Sequence, residues 1–197
     1  MGFEVEDDVG SPCNCGVGVC DTRCTDCSPT MLTCSDCFVR KHQTHPFHWA
    51  QVWNSKYFQK VGFSSLGGVL HLGHAGTPCE SSRTRKMIIT HVNGVHETTV
   101  SFCACNGANE QWVQLLRRRL FPATFVCPES AFTVDLLKLA HLITLNCHTS
   151  VHAMSTVLRR LTNDPHIHRV PVSLVAIFQC SFSHIPTFIR RSTIISG

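Results

Sequence analysis

The chain has 197 residues, enough for one ordinary domain or for a small metal-held module joined to a larger core, and too few for a large multidomain enzyme. Hydrophobic residues make up 43% and charged residues only 15%, a composition that excludes disorder except at the ends. The net charge of +4 is uneven: residues 1–110 sum to −2 and residues 111–197 to +6, so a polyanion should prefer the second half.

Residues 1–12 form an acidic lead, expected to be mobile. It lacks the apolar run of a secretory signal and the Ser or Thr that a myristoylation signal places sixth. Thirteen cysteines, an odd number, accompany thirteen histidines, which fits a reducing intracellular compartment better than a secreted disulfide scaffold.

Residues 13–50 hold a Cys/His cluster with too few large aliphatics to fold by burial alone. Its pairs are Cys13-x-Cys15, Cys24-x2-Cys27, Cys34-x2-Cys37, and His42 with His45 or His48. Two cysteines separated by a tight turn can place both thiolates on one tetrahedral zinc ion, and a second pair closes the shell. Four pairs therefore suffice for two zincs. Their order suggests interleaving, first with third and second with fourth, as in B-box and RING modules. Free buried cysteines, disulfides and a catalytic thiol are weaker readings of repeated x2 spacings with trailing histidines. Cys20 is left as a spare thiol or a substitute for Cys13.

From 51 to 110 the pattern reads as strands and turns. "KMIITHV" and "VHETTVSFCAC" are β-prone runs around Asn93-Gly94, a strong hairpin signal, and "GGVLHLGH" is a short apolar run before them. His74 and Cys79, with Cys103 and Cys105 at the end of the hairpin, make a further candidate tetrahedral set of Cys3His type. His71, His91 and His96 read as packed, hydrogen-bonded residues.

After 110 the pattern turns helical. "EQWVQLLRRRL" runs to the Phe121-Pro122 break; "ESAFTVDLLKLAHLITLNCH" has apolar residues at helical spacing; a third helix is expected over Val151–Leu161. Arg117, Arg118, Arg119, Arg159 and Arg160 are candidate DNA contacts, although short basic runs also suit a solvated helix face. The apolar segment Val170–Ile189 is interrupted by Pro171, Gln179, His184 and Pro186, too often for a membrane span.

The ordered set "CNCG", "RCTDC", "CSDC", "HPFHWAQVW", "LGGVLHLGH", "VNGVHETTVSFCAC", "RRRLFPATF" and "LRRLT" resembles the CxC-type cysteine cluster domain that precedes the KDZ (Kyakuja-Dileera-Zisupton) transposase domain of fungal mobile elements, over about residues 13–163. The resemblance implies a zinc-chelating module. Position by position it implies ligand roles for Cys13, Cys15, Cys24, Cys27, Cys34, Cys37 and His42, and for His48 in preference to His45. It also supports His74, Cys79, Cys103 and Cys105 as a third site. Relatives continue into a transposase domain with a ribonuclease H-like fold; this chain stops at Gly197 and should not cut or join DNA. Residues 164–197 no longer resemble the family and read as a divergent, poorly ordered tail.

The expectation is an α+β protein: a cross-braced zinc module over 13–50, a sheet containing a hairpin, then two or three helices in the remainder of the cluster domain over 51–163. It should bind two zincs, with a third as a further candidate. Its function should be non-catalytic, in the nucleus, in DNA binding or target recognition. The alternative is a B-box-like protein interaction module in which Trp49 and Trp53 act as anchors or instead pack the module. No membrane or small-molecule partner is expected. A zinc-water enzyme is disfavoured because each proposed site already has four protein ligands.

Overall fold

The structure is a computed structural model that describes residues 8–147 and 149–163. The expectations for the tail 164–197, for the Val170–Ile189 segment and for residues 1–7 lie outside the described residues. The fold is α+β, and the chain divides into two units, one of residues 1–86 and 97–103, the other of 87–96 and 104–197.

In the first unit, β1 (Thr22–Cys24), β2 (Ala50–Trp53) and β3 (Phe58–Val61) form an antiparallel sheet in the order β1-β2-β3. Register pairs Arg23 with Gln51 and Gln51 with Lys60. Helix α1 (Ser35–Lys41) lies between β1 and β2 in the chain. Its Phe38 packs with Cys24, Ala50 and Phe63 in a core of few side chains, the scarcity of large aliphatics that the composition foretold. Trp49 is buried, whereas Trp53 is half-exposed and lies 5.1 Å from the Phe58 ring. The end of the lead is tied down, because Gly10 donates to the Cys20 carbonyl and Cys20 to that of Ser11, both at 2.8 Å.

A five-stranded sheet has the order β4-β6-β5-β8-β7, where β4 is Leu70–His71, β5 Ser82–His91, β6 Gly94–Cys103, β7 Leu120–Pro122 and β8 Ser130–Thr133. β5 and β6 are the expected hairpin, turning through Val92 and Asn93. Gly94 starts β6 at φ 134°, a conformation L side chains rarely adopt. Within the first unit, Leu70 and His71 of β4 pair in parallel with Val100 and Ser101 of β6.

In the second unit, β8 pairs in parallel with β5 over Ile88–Thr90 and antiparallel with β7. Helix α2 covers Gln111–Arg117, α3 Val134–Cys147 and α4 Val151–Asn163. Val95, Phe121, Phe132, Leu136, Leu137, Ala140 and Leu158 form the core. The helical reading of 110–120 and 129–148 needs correction at two places. α2 stops at Arg117, and Arg119, at φ 58°, turns the chain into β7; the segment before α3 is β8, whose Ala131, Phe132 and Thr133 are all buried. Such a strand shows no alternation to distinguish it from a buried helical turn. His91 and His96 are packed and hydrogen-bonded, at 2.9 Å to Thr133 and to Asn93.

Candidate metal centres

The Cys/His pairs gather into three groups, within each of which the ligand atoms lie no more than 4.8 Å apart. The first is Cys13, Cys15, Cys34 and Cys37; the second is Cys24, Cys27, His42 and His48; the third is His74, Cys79, Cys103 and Cys105. The first group thus joins the first and third pairs of the sequence, and the second group the second and fourth.

Backbone geometry delivers the first group. Cys13 starts a turn closed by the Gly16 amide on its carbonyl at 2.8 Å, and Cys34 is the N-cap of α1, so Cys37 projects from the first turn of that helix. Gly18 makes room: a Cβ there would stand 2.7 Å from the Cys34 Cβ. The sulfurs lie 3.8 Å apart for Cys13 and Cys37 and 3.6 Å for Cys15 and Cys34. A tetrahedral ion with bonds of about 2.3 Å to sulfur needs an edge of about 3.8 Å. None of the described cysteines forms a disulfide, so the disulfide alternative does not hold among them.

The electrostatics favour a cation. The amides of Cys15 and Cys34 hold the Cys13 thiol down at about 6, and those of Val17 and Gly18 lower Cys15. The Cys37 amide also lowers Cys34, yet burial and the crowding of Cys15, Cys37 and Cys13 push it up to about 12. Four clustered thiols cannot all ionise beside one another; a divalent ion removes that repulsion. Arg40 Nη2 donates to Cys37 Sγ at 3.0 Å, which raises the Arg40 guanidinium and adds positive charge at the rim. Cys20 lies outside the group and packs against Cys13 and Cys34 as an apolar residue, its thiol pushed up by burial.

The second group brackets the other end of α1. His42 is its C-cap and stacks on Phe38 with ring centroids 4.0 Å apart. His42 Nδ1 lies 2.9 Å from the Phe38 carbonyl, which can only accept, so Nδ1 carries the proton and Nε2 faces Cys27 Sγ at 3.4 Å. His48 Nδ1 lies 3.4 Å from Cys27 Sγ and 3.6 Å from Cys24 Sγ. The corresponding edge for mixed sulfur and nitrogen ligands is about 3.6 Å. Burial lowers His48, keeping it neutral and a competent ligand, and pushes Cys24 up to about 11. His45 lies outside the group, its Nδ1 2.9 Å from Thr44 Oγ1.

The third group is assembled by long-range pairing. Parallel pairing of β4 with β6 carries the turn after β4 to the end of β6, and there His74 Nε2 lies 3.4 Å from Cys103 Sγ. Cys79 Sγ lies 3.6 Å from the same sulfur. His74 and Ala75 both take left-handed conformations, at φ 47° and 56°, in the turn His74–Gly76. Gly73 lets that turn approach, because a Cβ on it would stand 2.5 Å from the Cys103 Cβ. His74 is exposed and the three cysteines are half-buried, so this group is the most open to solvent of the three.

The profile of the CxC2-like cysteine cluster associated with KDZ transposases matches residues 63–166, more than half of the chain. The chain belongs to this family. The match is narrower than the resemblance read over 13–163; it contains the third group of this CxC2 chain, and the first two groups precede it. No curated protein and no solved structure matches the chain.

The candidate DNA contacts fall in the second unit of the CxC2 protein. Arg117 and Arg160 are exposed, Arg118 and Arg159 are half-buried, and Arg119 pairs with Asp135 at 3.0 Å across the start of α3. Among the described residues no helix is long and apolar enough to cross a membrane.

Proposed function

We propose that this CxC2 protein is a non-catalytic zinc-binding module that serves DNA binding or target recognition for a KDZ-type element, in the nucleus. The observation that carries the reading is the agreement of sulfur–sulfur and sulfur–nitrogen spacings with a tetrahedral zinc edge in groups whose ligands come from separate segments. Zinc held by Cys13, Cys15, Cys34 and Cys37, and by Cys24, Cys27, His42 and His48, supplies the cohesion that the small first core lacks. Four protein ligands leave no position for a reactive water, so the role of the ion is structural. His74, Cys79, Cys103 and Cys105 would hold a third zinc.

Metal analysis of protein purified under reducing conditions tests the zinc reading: two or three zincs per chain are expected, and fewer than about one overturns it. Salt-dependent binding to a short duplex tests the DNA reading, because each phosphate contact releases counterions and steepens the dependence.

A protein-interaction role is the second reading, and the observation favouring it is the exposed trio Leu139, Leu142 and Leu145, spaced by three along α3. Salt-insensitive capture of a protein partner, without duplex binding, would favour it.

A further inference from the structure

The alternation of the three-stranded sheet places Arg23 of β1, Trp53 of β2, and Phe58 and Lys60 of β3 on one face. Their neighbours along the strands, Thr22, Cys24 and Ala50, are buried on the other face. The outer face is organised: the Arg23 guanidinium lies 3.9 Å over the Phe58 ring and donates through Nε to Gln51 at 2.9 Å, and Trp53 leans on Phe58. The stretch that supplies most of it, "WNSKYFQK" over 53–60, holds three aromatic residues and two lysines and no acid.

The tip between β2 and β3 is also built. Asn54 Oδ1 accepts the amides of Lys56 and Tyr57 at 3.1 and 3.0 Å, and this turn presents the Tyr57 ring 55% exposed. The Lys60 ammonium lies 4.1 Å over the Trp49 ring, where burial pushes it down, and Asp26, whose charge opposes that, accepts the Trp49 amide at 2.7 Å.

We propose that this face binds single-stranded nucleic acid. Planar rings and an oriented guanidinium offer stacking surfaces to unpaired bases, while Arg23, Lys56 and Lys60 offer cations to the phosphates. A duplex keeps its base faces stacked inside and could use only the cations. The proposal rests on the DNA-directed reading above and adds to it a surface and a strand state.

The test uses the full metal-loaded chain and fluorescence polarisation with a labelled oligothymidylate and with a mixed-sequence duplex of equal length. Tighter binding of the single strand is expected, with affinity falling steeply as salt rises. Tyr57→Ala, at the exposed tip, should weaken single-strand binding about tenfold with metal content unchanged. Lys60→Gln should flatten the salt dependence. Equal single-strand affinity of the wild type and Tyr57→Ala overturns the proposal. So does salt-independent self-association lost in Tyr57→Ala, which assigns the face to a second copy of the chain. Duplex binding without single-strand binding overturns the proposal and leaves the DNA reading standing; binding to neither defeats both.

Discussion

His42 donates its Nδ1 proton to the Phe38 carbonyl at 2.9 Å, and the same ring turns its Nε2 to Cys27 at 3.4 Å. One hydrogen bond thereby fixes both the tautomer and the aim of a metal-facing nitrogen. His42→Ala should remove one zinc per chain and leave the others. Elemental analysis of the variant beside the wild type checks this; an unchanged stoichiometry would remove His42 from the ligand set.

The groups differ in exposure, and metal release should follow that order. Half-buried cysteines and an exposed His74 make the third group the most accessible to a chelator, whereas Cys13 and Cys34 of the first are buried. Stopped-flow release to a chromogenic chelator should show a fast phase of about one zinc, followed by slower ones. Cys79→Ser should abolish the fast phase alone.

Gly73 fits against Cys103 with no space for a methyl group. Gly73→Ala should displace the Cys103 side chain, cost about 1–3 kcal/mol and empty the third group while sparing the first two. Its backbone lies at φ −86°, where alanine is unstrained, so the effect is steric. A Gly73→Ala protein that keeps its full metal complement would refute the packing argument.

Thr162 ties α4 to the hairpin turn by accepting the Val95 amide and donating to the Leu158 carbonyl, each at 2.7 Å. Thr162→Val keeps the volume and strands a partly buried amide, which costs about 1–3 kcal/mol. The melting temperature should fall by roughly 2–10 °C at unchanged metal content.

Acid should strip the second group as His48 protonates. Burial holds His48 below its ordinary value, whereas the same ring in the unfolded chain takes its proton near about 6.5. Below that pH the unfolded state binds more protons than the folded one, so stability is lost as pH falls. In cobalt-substituted protein the band of the mixed sulfur and nitrogen site should fade as pH falls below about 6.5; a profile that stays flat on acidification would contradict the assignment of His48.

Legibility in the sequence tracked the distance between interacting residues. The first two groups were readable because their ligands recur at short spacings within 13–48, and spacing is what a tetrahedral ion constrains. The hairpin was readable from its flanking β-prone runs and Asn93-Gly94. The third group was only a candidate from spacing, since β4 must pair in parallel with β6 before His74 meets Cys103, and no local pattern encodes that pairing. β7 and β8 were misread for a related reason: one begins after an arginine in a left-handed conformation, and the other is buried on both faces.

Helix α1 has seven residues and no side-chain cap at its start. Alone in water so short a helix would not persist. Its N-cap Cys34 and first-turn Cys37 belong to the first group, and its C-cap His42 belongs to the second. Whichever ion arrives first therefore meets the entropic cost of ordering the helix, and the other finds its ligand already placed. Filling of the two centres should be positively cooperative, each raising the affinity of the other by the same factor, although they share no ligand.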